Sequence, residues 1–242
     1  MKVIVLSDIH GNVTALQAVI ESLEQMPEVE ACILLGDVID YGMNSNEVVE
    51  RIKSFPVRVL CNIWGNHEHA IMMDDYARFS SERGRQCARY TKEILNADSL
   101  CYIKKEMTPA GYCEFQIEGK KCLAVHGGLK DPYWNCLQSE EELSEYREYD
   151  YVFSGHSHKP HYIEKFFETD DPSRRNKKKT VFINPGSVGQ PRNLNNHAQF
   201  VIYDFENEDV LFKKICYNIK NEQKSYLGQV DDFYKKRLEF GI

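Results

Sequence analysis

Side chains that can bind metals or move protons follow six hydrophobic segments of this sequence, where each segment ends. Aspartate and histidine recur at these positions, beside at least one glycine in every case. The segments are DIHGN at residues 8–12, GDVID at 36–40, GNHE at 65–68, HGG at 126–128, GHSH at 155–158 and NPGS at 184–187. Five of the eight histidines lie in them. Because loops at the strand ends of an α/β sheet converge, we expect the segments to form one site.

The spacing within two of the segments supports this expectation. Taken singly, an aspartate after a strand is often a helix N-cap, and a histidine there is often only a polar loop residue. In DIHGN and GHSH, however, the ligand-type residues alternate, as Asp8 with His10 and His156 with His158. Alternate residues of an extended chain point to the same side, so each pair can direct two side chains at one place.

The donor set of the predicted site suits a pair of transition-metal ions. Four histidines, two or three aspartates and an asparagine supply nitrogen and oxygen without thiolate. These donors favour Mn, Fe, Co, Ni or Zn over a structural cysteine-zinc site. Asp37 and Asp40 follow a hydrophobic strand, where two carboxylates would repel each other without a cation. Two neighbouring dications need a bridging carboxylate, and Asp37 is the natural candidate.

The elements that must position these segments alternate in type in the first part of the chain. The runs KVIVLS, ACILLG and VRVLCNIW are typical of buried strands. Apolar periodicity predicts helices over residues 13–25 and 45–54, the second with Ser45 as its N-cap, and another over about 80–96. This order indicates a βαβα arrangement.

The second part of the chain is mostly strand-like. Its predicted strands are YCEFQIE, KCLAVH, YVFSGH, TVFINPGS, QFVIYDF and VLFKKICY. An acidic helix, SEEELSEYREY, interrupts them, and NEQKSYLGQVDDFYKKRLEF is predicted as a surface helix. The basic run at 169–179 is interpreted as a solvated hairpin tip. Together the elements predict two packed sheets with helices outside.

Composition narrows the class of protein. The chain has 242 residues, which fits one large α/β domain, and 42% of them are apolar. A net charge of −7 argues against a general nucleic-acid or membrane-surface binder. No apolar run could span a bilayer, and the N-terminus is predicted to be a strand rather than a signal peptide. Eight scattered cysteines without a CxxC pair predict a reduced, cytoplasmic protein.

The six segments together resemble the motifs of the calcineurin-like metallophosphoesterase superfamily, and most closely its small single-domain bacterial and archaeal phosphoesterases. The resemblance runs from residue 8 to about residue 192. It implies a four-layer α/β/β/α sandwich of two mixed sheets flanked by helices, formed by residues 1–242 as a single domain, with a dinuclear centre at the strand ends. One metal ion would take Asp8, His10 and His158, the other would take Asn66, His126 and His156, and Asp37 would bridge them.

The resemblance also implies a catalytic role for His67. It would face the substrate as general acid or transition-state donor, and Asp40 would hold its ring in orientation. Glu68 is expected to support the loop. His69, His161 and His197 have no counterpart in the family pattern and are interpreted as surface histidines.

The sequence departs from the protein serine/threonine phosphatases of this superfamily at two positions. Their GDxxDRG motif has an arginine that grips phosphate, and Tyr41 stands in its place here. The arginine that usually precedes GNHE is replaced by Trp64, for which we expect packing. Tyr41 could stack on a base or an aromatic leaving group. Arg192 is a candidate phosphate contact, with a structural ion pair as the alternative, and Asn66 and Asn12 complete the predicted substrate contacts.

These observations predict a metal-dependent phosphoesterase. It would hydrolyse small phosphodiesters or phosphomonoesters, diesters preferred, by attack of a hydroxide that bridges two divalent ions, with manganese the preferred metal. A dinucleoside polyphosphate hydrolase or a Ser/Thr protein phosphatase is the alternative, because either needs only a different substrate groove. A non-catalytic scaffold on the same fold is a third hypothesis, disfavoured because every ligand position is filled. The sequence indicates no oligomeric state.

Overall fold

Two five-stranded mixed sheets form the centre of the computed structural model, which describes residues 1–138 and 143–242. The first sheet has the order β10-β9-β1-β2-β3, and the second has the order β4-β5-β6-β8-β7. The strands of the first are β1 Lys2–Leu6, β2 Val29–Leu34, β3 Arg58–Asn62, β9 Ala198–Asp204 and β10 Asp209–Ile215. Those of the second are β4 Tyr112–Ile117, β5 Lys120–Val125, β6 Tyr151–Ser154, β7 His161–Glu168 and β8 Lys177–Asn184.

Each sheet contains three adjacent parallel strands, which lie on one side of the first sheet and at the middle of the second. β1, β2 and β3 run parallel in the first sheet, as do β5, β6 and β8 in the second. The antiparallel strands lie outside them, with β9 and β10 beside β1, β4 beside β5, and β7 beside β8. The carboxyl ends of the central strands therefore meet at one edge of each sheet, where the predicted ligand segments follow.

Helices cover the outer face of the first sheet. The helices on this face are α1 Val13–Leu23, α2 Ser45–Lys53, α3 Asn66–Met73, α4 Glu82–Ile94 and α5 Ala97–Lys105. Helix α6 Ile219–Glu222 packs beside α1, and helix α7 Asp232–Phe240 packs beside α4. Strand alternation divides the core into layers: Ile4 and Leu6 pack with the helices, while Val3 and Val5 pack between the two sheets. On the outer face of the second sheet, Val125 and Phe182 pack against Tyr146 of the 3₁₀ turn Ser144–Tyr146. The predicted layered sandwich is confirmed.

Several predicted element boundaries are wrong. The 45–54 helix begins at Ser45 but is capped at Asn44, and the Ser45 hydroxyl instead accepts a hydrogen bond from the Asp40 N–H, at 3.1 Å. Strand β7 was not predicted, because its alternating sequence HYIEKFFE has too few consecutive apolar residues to suggest a buried strand. It forms a hairpin with β8, which places the basic run at a hairpin end as predicted, with 177–179 already in the strand.

Three helical regions also differ from prediction. GNHE begins a helix, α3, rather than a loop, and α5 follows the predicted 80–96 helix. The C-terminal surface helix is two separate helices, α6 and α7, with Gly228 at φ +91° between them, and Tyr234 in α7 is buried. For the predicted acidic helix, residues 139–142 lie outside the described residues, and the remainder contains only the 3₁₀ turn Ser144–Tyr146.

No helix among the described residues is long and apolar enough to cross a membrane. The cysteines are all reduced, and Cys32, Cys61, Cys87 and Cys122 are buried in apolar layers, as small hydrophobic side chains often are.

Candidate functional site

The predicted ligand residues lie at the carboxyl ends of the central strands of both sheets. Asp8 and His10 follow β1, and Asp37 follows β2. His126 follows β5, and the GHSH segment follows β6. Asn66 lies at the start of α3, four residues after the end of β3. The topology thus brings both sheets to one place, as predicted from the segment order.

Two buried clusters of potential ligand atoms result. In the first, His158 Nε2 lies 3.2 Å from both His10 Nε2 and Asp8 Oδ1. In the second, Asn66 Oδ1 lies 3.1 Å from His126 Nε2 and 2.9 Å from His156 Nδ1. The seven predicted metal ligands are therefore brought together in the two groups that the family pattern implies.

Asp37 lies between the two clusters. Its Oδ2 is 3.6 Å from His10 Nε2 on one side and 3.3 Å from His126 Nε2 on the other. The side chain is 1% exposed. This position fits the bridging role predicted for it.

The donor set fits a pair of divalent cations. Imidazole nitrogens and carboxylate oxygens of three residues at a time lie within 4.8 Å of one another in Asp8–His10–His158 and in Asp37–His126–His156. Asp8 Oδ1 is buried and accepts no hydrogen bond from the described residues, although its other oxygen accepts from Ser7 Oγ and His156 N. A buried carboxylate oxygen without a donor is costly unless a cation completes its environment.

Backbone carbonyls orient three of the ligand imidazoles. His126 Nδ1 lies 2.6 Å from Leu35 O, His158 Nδ1 2.6 Å from Gln190 O, and His10 Nδ1 3.3 Å from Ile39 O. A carbonyl can only accept, so Nδ1 carries a proton, and in the neutral imidazole Nε2 has the lone pair directed into the cluster. The surrounding chain thus selects the tautomer that a metal ligand requires.

His67 is held by a different kind of partner. Its Nδ1 lies 2.6 Å from Asp40 Oδ2, and the other Asp40 oxygen accepts from Thr91 Oγ1 at 2.7 Å. The backbone N–H of His67 donates a hydrogen bond to Asp37 Oδ1 at 2.9 Å. The ring nitrogen opposite Asp40, Nε2, is 3.9 Å from Asp37 Oδ2 and therefore faces the pocket. Asp40 thus orients the ring of His67, as predicted.

Glu68 supports the loop that carries Asp37, as expected. It is fully buried, and its carboxylate accepts hydrogen bonds of 2.8–3.1 Å from the backbone N–H groups of Gly65, Asp37, Val38 and Ile39. Four donors to one carboxylate fix the turn after β2 against the start of α3.

Mutual charges set the protonation of these groups in the absence of metal ions. Burial raises the pKa of Asp8 to about 6. Burial opposes the charged form of Asp37 as well, but His126 and His67 outweigh it and hold the pKa of Asp37 well below its usual range. Burial also opposes protonation of His126, yet Asp37 and Asp8 raise its pKa to about 9.

The remaining imidazoles divide into two kinds. Burial lowers the pKa of His10 and His158 well below the ordinary value, and burial together with the charge of His126 lowers the pKa of His156 to about 3. For His67, burial opposes protonation, but Asp37 and the hydrogen bond to Asp40 raise its pKa. The raised pKa of His67 favours its protonated form, whereas the lowered pKa values of His10, His156 and His158 favour neutral imidazoles.

A pocket of about 220 Å³ opens over this centre. Of the predicted substrate contacts, Asn66, Tyr41 and Arg192 line it. The Tyr41 ring lies 4.4 Å from the His67 ring and 4.6 Å from the Tyr234 ring, in a stack with the latter. Arg192 Nε is buried and has no hydrogen-bond acceptor among the described residues, which does not favour a structural ion pair.

Two other predictions have opposite outcomes. The Asn12 side chain accepts from Ala15 N and donates to Gly189 O and Tyr217 Oη, so its amide serves the fold and we do not carry it forward as a substrate contact. Trp64 is buried and donates from Nε1 to Ile103 O at 2.8 Å, which confirms the packing role.

Sequence reasoning missed several residues of the pocket. Phe79, Arg78, Ser80 and Trp134 line it, although none lies in a recognisable segment. Their only signal was two aromatic residues in otherwise polar stretches. His161, interpreted as a surface histidine, is half-buried with its Nε2 enclosed, because it begins the unpredicted strand β7.

Comparison with known proteins agrees with this geometry. The model of the calcineurin-like phosphoesterase superfamily domain matches residues 1–208. An uncharacterised protein of Methanocaldococcus jannaschii is 28% identical over 98% of this chain and 97% of its own length. The crystal structure of a metallophosphoesterase from Sphaerobacter thermophilus is 26% identical, with a TM-score of 0.77 and 100% of both chains covered. The symmetrical bis(5′-nucleosyl)-tetraphosphatase of Salmonella paratyphi A is 26% identical over 69% of this chain and 55% of its own length.

Proposed function

The chain belongs to the calcineurin-like phosphoesterase superfamily and is a phosphoesterase; from this premise we propose that it hydrolyses small phosphate esters, either phosphodiesters or phosphomonoesters. The observation that carries the proposal is the convergence of two ligand clusters and the His67–Asp40 pair on one pocket. A metal centre beside an imidazole that a carboxylate orients is an arrangement that can cleave a P–O bond.

Two divalent transition-metal ions would be held by this centre. Asp8, His10 and His158 form one ligand group, Asn66, His126 and His156 form the other, and Asp37 is shared. When bound, such ions supply Lewis acidity and lower the pKa of water, which provides the nucleophile. Manganese is our preferred metal. Fe, Zn, Ni and Co are alternatives, because all five metals accept nitrogen and oxygen donors.

His67 would protonate the leaving group. Asp40 accepts from Nδ1, so the proton available for transfer lies on Nε2, on the side that faces the pocket. Burial opposes protonation of His67, but Asp37 and the hydrogen bond to Asp40 raise its pKa, which favours the protonated ring. Donation of the proton to the departing oxygen turns a poor alkoxide leaving group into an alcohol.

Arg192 would balance the charge of a bound phosphate, and the neutral amide of Asn66 would donate a hydrogen bond to it, since both residues line the pocket. Tyr41 presents an aromatic ring at the same wall and is suited to pack against the organic part of the ester. Tyr41 also stands where the protein serine/threonine phosphatases have the arginine that grips phosphate, which disfavours a phosphoprotein as the substrate.

A dinucleoside polyphosphate is the alternative substrate. The similarity to a symmetrical bis(5′-nucleosyl)-tetraphosphatase favours it. We propose a cytoplasmic location for either activity, because all eight cysteines are reduced and half of them are buried as apolar side chains.

A panel of phosphate esters tests the proposal. Protein reconstituted with Mn²⁺ should bind about two ions per chain and hydrolyse bis-p-nitrophenyl phosphate, with loss of activity in chelator. The kcat/KM for this ester should exceed that for a phosphoserine protein. Protein that retains two ions but hydrolyses no ester of the panel would refute the proposed function.

A further inference from the structure

A second cavity adjoins the pocket over the candidate metal centre. This groove has a volume of about 470 Å³ and is lined by Leu137, Lys159, His161 and Ile163, among others. His156 and Arg192 line both the groove and the pocket, so the two spaces meet at these side chains. A substrate held at the centre can therefore extend into the groove, whose volume suits the larger part of a small ligand.

The groove contains cationic and polar groups that lack partners. Lys159 is exposed, and no ion pair within the described part of the chain includes it or Arg192. Buried nitrogens of two side chains, Arg192 Nε and His161 Nε2, have no hydrogen-bond partner among the described residues. Buried polar atoms are normally satisfied, so two such atoms in one groove indicate a ligand that supplies acceptors.

Among the residues that the structure describes, the charged side chains that line the groove are cationic. Its described lining includes Lys159 and Arg192 but no carboxylate. This contrasts with the net charge of −7 of the chain and with the surface lysines of β8, such as Lys179, which pairs with Glu164 and Glu208. Unpaired cations beside apolar Leu137 and Ile163 suit a ligand with both an anionic and an apolar part.

We propose that this groove binds a second phosphate of the substrate together with part of its organic group, so that the enzyme prefers phosphate esters or anhydrides with more than one phosphate. Lys159 and Arg192 would neutralise the second phosphate, and His161 would donate to it or to the organic group. The inference rests on the proposed function, since it assigns the substrate class of the same site.

The test compares two substrates on the Mn²⁺-loaded enzyme. Bis-p-nitrophenyl phosphate has one phosphate, and diadenosine tetraphosphate has several. Lys159→Ala and His161→Ala should each raise the KM for the tetraphosphate about 10-fold, the effect of one lost charged hydrogen bond, and change that for the diester much less. His161→Gln, which keeps a donor, should lose less than His161→Ala. Lys214→Ala, an exposed lysine of β10 outside the groove, is the matched control.

The possible outcomes test the groove assignment and the proposed hydrolytic activity separately. Equal changes in KM for both substrates, or none for either, would overturn the groove assignment. So would a wild-type enzyme that hydrolyses the diester but does not bind the tetraphosphate by calorimetry. If instead the enzyme binds the tetraphosphate, more weakly in the groove variants, yet hydrolyses no ester, the groove is supported and the proposed function is refuted.

Discussion

Asp37 is the side chain that both proposed metal ions would share, and it tests the dinuclear assignment at the residue scale. We predict that Asp37→Asn lowers metal content and abolishes most activity, because an amide cannot neutralise two dications as a carboxylate does. Elemental analysis and turnover should be measured on the same sample. Full metal content with normal turnover would contradict the shared position of Asp37. Asp204→Asn, a substitution of an aspartate at the end of β9, serves as the control.

His67 should affect turnover without affecting metal content. Asp40 is the hydrogen-bond partner of the His67 ring, whose Nε2 lies 3.9 Å from Asp37 Oδ2. We predict that His67→Ala retains metal and lowers kcat by roughly 10²- to 10⁴-fold. The loss should be smaller for an aryl ester, whose leaving group needs less protonation, than for an alkyl ester. Asp40→Asn should give a milder loss of the same kind. Equal losses on both esters with metal missing would identify His67 as a ligand instead.

The proton on His126 should compete with metal binding. Its pKa of about 9 without metal means that the ring is largely protonated at pH 7.5, whereas a metal ligand must be neutral. We therefore expect binding to release about one proton at pH 7.5, and apparent metal affinity to rise with pH up to about 9. Calorimetry in buffers of different ionisation enthalpy measures the release. Affinity that does not change between pH 7 and pH 9 would exclude this protonation of His126.

At the same scale, the sequence predicted ligands better than substrate contacts. The ligand residues lie one to four positions after recognisable hydrophobic strands, so the local pattern is sufficient to find them. Phe79 and Trp134 reach the pocket from separate irregular segments, and only tertiary packing brings their rings within 5.4 Å. No local sequence pattern predicts a contact between two segments so far apart in the chain.

At the scale of elements, helix α7 is the part of the chain that most directly supports the pocket from outside the 1–208 family match. Buried Tyr234 stacks on Tyr41, and Arg237 is buried beside both, with its Nε donating to Ile242 O at 2.6 Å. Tyr41 in turn contacts His67. The C-terminal helix thus supports the pocket wall that lies next to His67.

Removing this support should affect both stability and catalysis. Tyr234→Ala should lower the free energy of unfolding by about 3 to 5 kcal/mol, as for other large buried aromatic side chains. It should also lower kcat, because Tyr41 loses its stacking partner. Tyr234→Phe keeps the ring and is the control. Chemical denaturation and ester hydrolysis measure the two effects, and a destabilised variant with unchanged kcat would show that α7 does not position the pocket wall.

The sequence predicted every described strand except the edge strand β7, and it predicted the helices less reliably. KVIVLS and ACILLG are buried on both faces and are continuously apolar, which identifies them without context. β7 and α7 each have one polar side, and α3 begins within a ligand segment whose polarity suggests a loop. Their structure depends on the surfaces that they pack against, which a local pattern does not contain.

At the scale of the whole molecule, the prediction of a single domain over residues 1–242 can be tested by unfolding. The layer between the sheets joins Val3 and Val5 of the first sheet to Phe153 and Ile183 of the second. Neither sheet can bury this face alone, so we expect the metal-free, reduced protein to unfold in one cooperative transition. Differential scanning calorimetry should give equal calorimetric and van't Hoff enthalpies. Two resolved transitions would divide the chain into separate units.

The backbone of the site has a consequence for how this protein can evolve. Seven non-glycine residues there have left-handed φ angles between 49° and 72°: Asp8, His10, Asp37, Asp40, Tyr41, His156 and His158. Each such conformation costs on the order of 1–3 kcal/mol. Glycine at any of them would relax the chain but remove a ligand or a pocket side chain. A library selected only for heat resistance should therefore accumulate inactive glycine variants at these positions, whereas joint selection for turnover should exclude them.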